Sequence, residues 1–144
     1  MVAQDYARIY RANSILTATP GQLVLLLFDG ALRAMGTARA AFERPARDLG
    51  RFEVIHRNLT KARRIIAELR GTLNFEAGGE FAALMERLYE YYNRRLLEAN
   101  LKKTPEPILE IEQLLGQVRD AWAEMLKKEG VSVAAAPAPE PILS

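Results

Sequence analysis

The chain has 144 residues, 49% of them hydrophobic and 26% charged, which fits one soluble domain with a core large enough to need no staples. The absence of cysteine excludes a disulfide framework and a thiolate metal site, and suits a reducing compartment. Net charge is +2, with 20 Lys and Arg against 18 Asp and Glu; the basic pairs Arg63-Arg64, Arg94-Arg95 and Lys102-Lys103 are scattered, so they read as solvated helix faces and no nucleic-acid partner is expected.

Leu, Ala, Arg and Glu are plentiful and β-branched residues sparse, which favours helix throughout. Residues 1–16 read as a short amphipathic lead-in, with Tyr6, Ile9 and Tyr10 on one face at i, i+3 and i+4. So short a segment is marginal as an isolated helix and must dock or fray. Thr19-Pro20-Gly21-Gln22 is a helix-start signal: threonine at the N-cap, proline at the first helical position, and glutamine placed to reach back to the cap.

The first long helix is expected from Pro20 to Glu43, ending before Pro45. Leu23 to Phe28 is an unbroken apolar run, which covers the whole helix circumference where one core needs only a stripe. The run is far shorter than the ~20 residues of a membrane span. With Asp5 ahead of it and no convincing cleavage site after it, it is not a signal peptide. No membrane insertion is expected, and the expected address is the cytoplasm. Leu23, Leu26 or Leu27, Gly30, Ala34, Ala38 and Ala41 are taken as the inner stripe, and Leu25, Phe28 and Leu32 as a second stripe on another side.

A second helix is expected over 49–73, with Phe52, Ile55, Leu59, Ala62, Ile66, Leu69 and Leu73 alternating by three and four. Val54 and Ile65 lie off that seam. Asn74 to Gly79 breaks the pattern with two glycines. A third helix, 80–101, carries Phe81, Met85, Leu88, Tyr92, Leu96 and Ala99 on one face, broadened by Leu84, Tyr91 and Leu97. Thr104-Pro105 opens a fourth, 105–129, with Ile108, Ile111, Leu115, Val118, Trp122 and Met125 on its seam and Leu114 beside it. The Ala-Pro-rich stretch 130–144 reads as a disordered tail. Four long amphipathic segments with short connections predict an all-α, antiparallel up-down-up-down four-helix bundle over 17–129.

Chemistry is hard to find in this pattern. Glu53-x-x-His56 has the spacing of a di-metal bundle motif, but the site needs two such motifs and the chain has one histidine. No phosphate loop, dinucleotide fingerprint or nucleophile elbow occurs. Tyr89, Tyr91 and Tyr92 could stack bases; at helical spacing they are expected to pack at the bundle edge with hydroxyls in water. Glu110 and Glu112 read as solvent-facing charge. No catalytic residue, metal or cofactor is expected, which leaves binding through apolar surface.

The ordered motifs Tyr10-x-x-Asn13-Ser14, Thr17-Ala18-Thr19-Pro20-Gly21-Gln22-Leu23, Gly78-Gly79-Glu80-Phe81-Ala82, Leu88-Tyr89-x-Tyr91, Arg95-Leu96-x-x-Ala99-Asn100 and Ala121-Trp122 resemble the flagellar secretion chaperone family that binds flagellin. The resemblance runs from Tyr10 to Trp122. It implies a cytoplasmic, ATP-independent chaperone that holds the C-terminal helical segment of flagellin, prevents premature polymerisation, and helps deliver the subunit to the flagellar type III export apparatus. It also implies export-gate components and a flagellin-binding regulator as further partners, client pieces lying in apolar grooves, and an N-terminal cap that competes for one groove. Tyr6, Ile9 and Tyr10 are the expected cap. Leu25, Phe28, Leu32, Val54, Ile65 and Leu114, left over once each helix is given a core seam, are the expected groove residues, and the seam residue Ile55 is expected at a groove edge. A related bundle chaperone or adaptor for another export substrate, and a structural bundle that self-associates through the same stripes, are the rival readings.

Overall fold

The computed structural model describes residues 19–130, in four helices. These are α1 (Pro20–Phe42), α2 (Gly50–Gly71), α3 (Phe75–Lys102) and α4 (Glu106–Lys128), arranged as an antiparallel four-helix bundle. The tail and the lead-in with Tyr6, Ile9 and Tyr10 lie outside the described residues.

Local chemistry sets the helix ends. The Thr19 hydroxyl accepts from the Gln22 N–H at 3.1 Å, and the Gln22 side-chain oxygen accepts from the Thr19 N–H at 2.9 Å. That is the reciprocal capping box the sequence signals. The Asn74 side chain caps α3 by accepting from the Ala77 N–H, and Gly79, at φ 50° and ψ −120°, then kinks the helix. The expected break over 74–79 is therefore a capped first turn followed by a kink that a side chain would resist. At the far end of α3, Lys103 adopts a left-handed conformation with φ 53°, and the Lys103 and Thr104 N–H groups both donate to the Ala99 carbonyl.

Two compact units are distinguishable along the chain, 27–118 and a unit that pairs 19–26 with 119–130. In the first, Phe28, Ala31, Met35 and Ala38 of α1 are buried, with Ile55, Leu59, Ala62, Ile66 and Leu69 of α2. Ala82, Met85, Tyr89, Tyr92, Leu96 and Ala99 of α3 and Ile108, Ile111 and Leu115 of α4 complete this core. Side-chain ties record which helices are neighbours: Arg39 of α1 pairs with Glu112 of α4 at 2.7 Å, Arg70 of α2 with Glu86 of α3, and Arg95 of α3 with Glu110 of α4 at 2.7 Å. In the second unit, Leu25, Ala123 and Leu126 form a cluster with Leu26 and Trp122 against it, and the Trp122 indole N–H donates to the Gly21 carbonyl at 2.9 Å. A Cβ at Gly21 would sit 2.6 Å from a Leu126 methyl carbon, so any larger residue there would make the Leu126 side chain shift.

Ala34, Ala38 and Ala41 of the expected inner stripe are buried, but in the first three turns the phase of α1 differs from the expected one. Leu25 and Phe28 are buried, whereas Leu23, Leu26, Leu27 and Gly30 are half-buried. Inside an unbroken apolar run the pattern carries no phase, so the rest of the helix decides it. Arg33 and Thr37 are exposed, and stepping back by three and four from them puts Gly30, Leu26 and Leu23 on the outer side. The α4 seam also drifts: after Leu115 the buried positions are Ala123 and Leu126, whereas Val118 and Trp122 are half-buried and Met125 is 38% exposed. A straight helix drifts about 40° from a strict seven-residue repeat over two heptads, which goes part of the ~100° between neighbouring positions.

Candidate protein-binding surface

The expected groove residues divide into two groups. Leu25, Phe28 and Ile55 are fully buried, so in this conformation they belong to the core. Leu32, Val54, Ile65 and Leu114 are half-buried at helix margins. Ile65 packs toward α1, where a Cβ on Gly30 would meet its Cδ1 at 3.4 Å. Leu114 lies on α4, one turn after Glu110, which faces α3. The seven positions do not make one strip.

A strip the sequence did not single out lies between α3 and α4. On α3, Leu84, Leu88, Tyr91 and Arg95 follow one another at helical spacing and so share a stripe. Tyr91 and Arg95 both bond Glu110, so this stripe faces α4. Leu84 is 45% exposed and Leu88 half-buried, and Leu114 extends the same apolar margin from the α4 side. Phe81, 56% exposed, continues the stripe toward the start of α3, where Phe75 is also exposed. Monomeric domains rarely leave a contiguous row of large apolar side chains in water without a partner for it.

The strip is closed at its other end by charge. The Tyr91 hydroxyl donates to Glu110, Arg95 donates to Glu110 at 2.7 Å and to Glu98 at 2.8 Å, and Lys102 donates to Glu98 at 3.2 Å. The Arg94 guanidinium lies over the Tyr91 ring at 5.4 Å. Hydrogen bonds from Tyr91 and Arg95 hold the Glu110 carboxyl below its usual range, and those from Lys102 and Arg95 do the same for Glu98. The Glu110 bond raises the Tyr91 hydroxyl. Glu110 and Glu112 are thus interhelical ties, not idle solvent-facing charge.

The tyrosines also depart from expectation. Tyr89 and Tyr92 are buried, with ring centroids 6.2 Å apart in an edge-to-face pair, and burial raises both hydroxyls. Of the three, only Tyr91 is half-buried, and its hydroxyl donates to Glu110 at the bundle margin. His56 is exposed and pairs with Asn100 at 2.9 Å, and Glu53 pairs with Arg57 at 3.5 Å. Among the described residues no three His, Cys, Asp or Glu gather to hold a metal. No helix among them is long and apolar enough to cross a membrane.

The apolar strip along this helix pair has the i, i+3 and i+4 spacing by which amphipathic helices are recognised in grooves. Residues 2–129 match the family described as flagellar protein FliS. The chain is 38% identical over 129 residues to the flagellar secretion chaperone FliS of Bacillus subtilis, covering 90% of this chain and 92% of that one. It is 37% identical over 124 residues to the FliS of Salmonella typhimurium, covering 85% and 88%, and 29% identical over 126 residues to that of Campylobacter jejuni, covering 85% and 92%. The chain belongs to the FliS family of flagellar secretion chaperones, which are not enzymes.

Proposed function

We propose that this chain is a cytoplasmic export chaperone that binds the C-terminal helical segment of flagellin, keeps it from polymerising early, and assists its delivery to the flagellar type III export apparatus. The Leu84–Leu88 strip with Leu114 is the observation that carries the reading. It supplies apolar positions at the spacing an amphipathic helix would meet, on a chain whose family is one of flagellar secretion chaperones. A segment disordered on its own gains order by burying its apolar face there, and the buried area offsets the lost chain entropy.

Leu32, Val54 and Ile65 are further groove positions in this reading. Leu25, Phe28 and Ile55 contribute only where a conformational change uncovers them, because they are buried in this structure. The N-terminal Tyr6, Ile9 and Tyr10 act as a cap that competes with the client. Removing residues 1–12 should then change client affinity and leave the bundle folded; unchanged affinity argues against a cap. Export-gate components and a flagellin-binding regulator are the further partners the reading includes, with no nucleic acid and no membrane insertion.

Pull-down with full-length flagellin and with flagellin lacking its C-terminal segment tests the core of the reading. Binding should be lost with the truncated client. Equal binding of both rules out the proposed mode, and binding of neither points to a different export substrate.

A further inference from the structure

Charge is shared unequally among the helices. α2 carries six Lys and Arg against two Glu, whereas α4 carries three against five Asp and Glu. On α2 the excess is also ordered. Glu53, Arg57, Lys61, Arg64 and Glu68 follow one another at helical spacing, so they form one stripe, and all are exposed. Ile55, Leu59, Ala62, Ile66 and Leu69 are the buried seam of this helix, His56 and Arg70 bond α3, and Ile65 packs toward α1. The stripe is therefore on the outward side of α2, facing away from the α3–α4 strip. Arg63 and Arg64, adjacent in sequence, part here: Arg63 Nε is withdrawn from solvent, while Arg64 is exposed.

The cations of this stripe are poorly neutralised within the protein. Arg57 meets Glu53 at 3.5 Å, an ion pair whose side chains are 63% and 79% exposed and so well screened. Lys61 and Arg64 form no ion pair among the described residues, although Glu68 stands one turn beyond Arg64. Like charges three and four residues apart cost a helix stability. The outward row of α3 avoids that cost, because Arg87, Glu90, Arg94 and Glu98 alternate in sign. On α4, Gln113 and Gln117 are exposed at the same spacing. The cationic block is particular to α2.

We propose that this face of α2 is a docking surface for a short acidic segment of a partner protein other than the client. Arg57 to Arg64 spans roughly 10 Å of helix, room for about three carboxylates at matching spacing. Arginine supplies two of the cations and can hold a carboxylate by two parallel bonds. Glu53 and Glu68 close the block at both ends. A short acidic segment stays within those limits, but a nucleic acid strand or an anionic lipid surface would extend past them and meet like charge. Because the face points away from the strip, client and partner can be held together, and the site does not depend on which segment the strip binds.

An alanine-based helical peptide with glutamates at i, i+4 and i+7 is the probe, followed through the amide chemical shifts of the full chain. Shifts should gather on Arg57, Lys61 and Arg64 and fade as salt is raised. A Lys61→Glu, Arg64→Glu variant should bind this peptide at least tenfold more weakly, and should bind instead the same peptide with lysines replacing its glutamates. No binding by the parent, shifts that gather elsewhere, equal binding of a glutamine version, or a folded variant that binds as tightly as the parent overturns the proposal. Tighter binding of single-stranded DNA or of phosphatidylglycerol vesicles on the same residues also overturns it, and assigns the face to a nucleic acid or a membrane. If the double reversal does not fold, Lys61→Gln, Arg64→Gln carries the comparison: weakened peptide binding supports the site and unchanged binding refutes it.

Discussion

The two seams that α3 makes with its neighbours are built from opposite materials. Against α2 it presents Glu86, bonded to Arg70, and Asn100, bonded to His56, with Asn93 between them. Against α4 it presents Leu84 and Leu88, closed at one end by Tyr91, Arg95 and Glu110. Hydrogen bonds and ion pairs in the polar seam are directional, whereas apolar contact in the other is not. One helix therefore carries a polar margin toward one neighbour and an apolar margin toward the other.

The comparison can be broken most severely at the face both seams share. Leu96 is fully buried on α3 between them, so Leu96→Ala should lower unfolding free energy by about 2–5 kcal/mol, read by urea denaturation. Both seams should loosen together in hydrogen exchange. If only one loses protection, they do not depend on a common core.

A smaller effect should mark the closed end of the apolar seam. The Glu110 carboxyl titrates below its ordinary value near 4.5 because Tyr91 and Arg95 bond its charged form. The stability this adds is present above about pH 4.5 and is lost as pH falls through the lowered folded value. Glu110→Gln should therefore flatten the acid limb of a stability-against-pH curve and leave the polar seam unaffected. An acid limb of unchanged slope would remove Glu110 from the account. The smallest change is expected at the outermost rung: Arg70 is half-exposed, so Arg70→Gln should cost about 0–1 kcal/mol and less at high salt.

Much of the fold was legible because long amphipathic segments and their caps are local signals. The Thr19–Gln22 box, the α2 seam from Ile55 to Leu69 and the disruption at Gly79 could each be read from short stretches. Rotation was not legible. For α1 the run Leu23 to Phe28 has no phase of its own, and the expected core and groove stripes exchanged places there. For α3 the larger side chains pointed to Phe81 and Leu88, while the structure buries Ala82 and Tyr89 in their place, a choice made by packing against other helices that no single-helix pattern contains. The strip was missed for the same reason, since Leu88 had been assigned to the core. Its available signal was the surplus of apolar residues on α3 beyond one stripe. Glu110 and Glu112 looked idle because their partners, Tyr91, Arg95 and Arg39, are on other helices.

The most direct test of the central claim is calorimetric binding of a flagellin C-terminal segment to a Leu84→Asp, Leu88→Asp variant that remains folded by circular dichroism. Placing charge on the strip should weaken binding at least tenfold, about 1.4 kcal/mol, with little change in urea midpoint. A folded variant that binds the segment as tightly as the parent would show that the client is held elsewhere on the bundle.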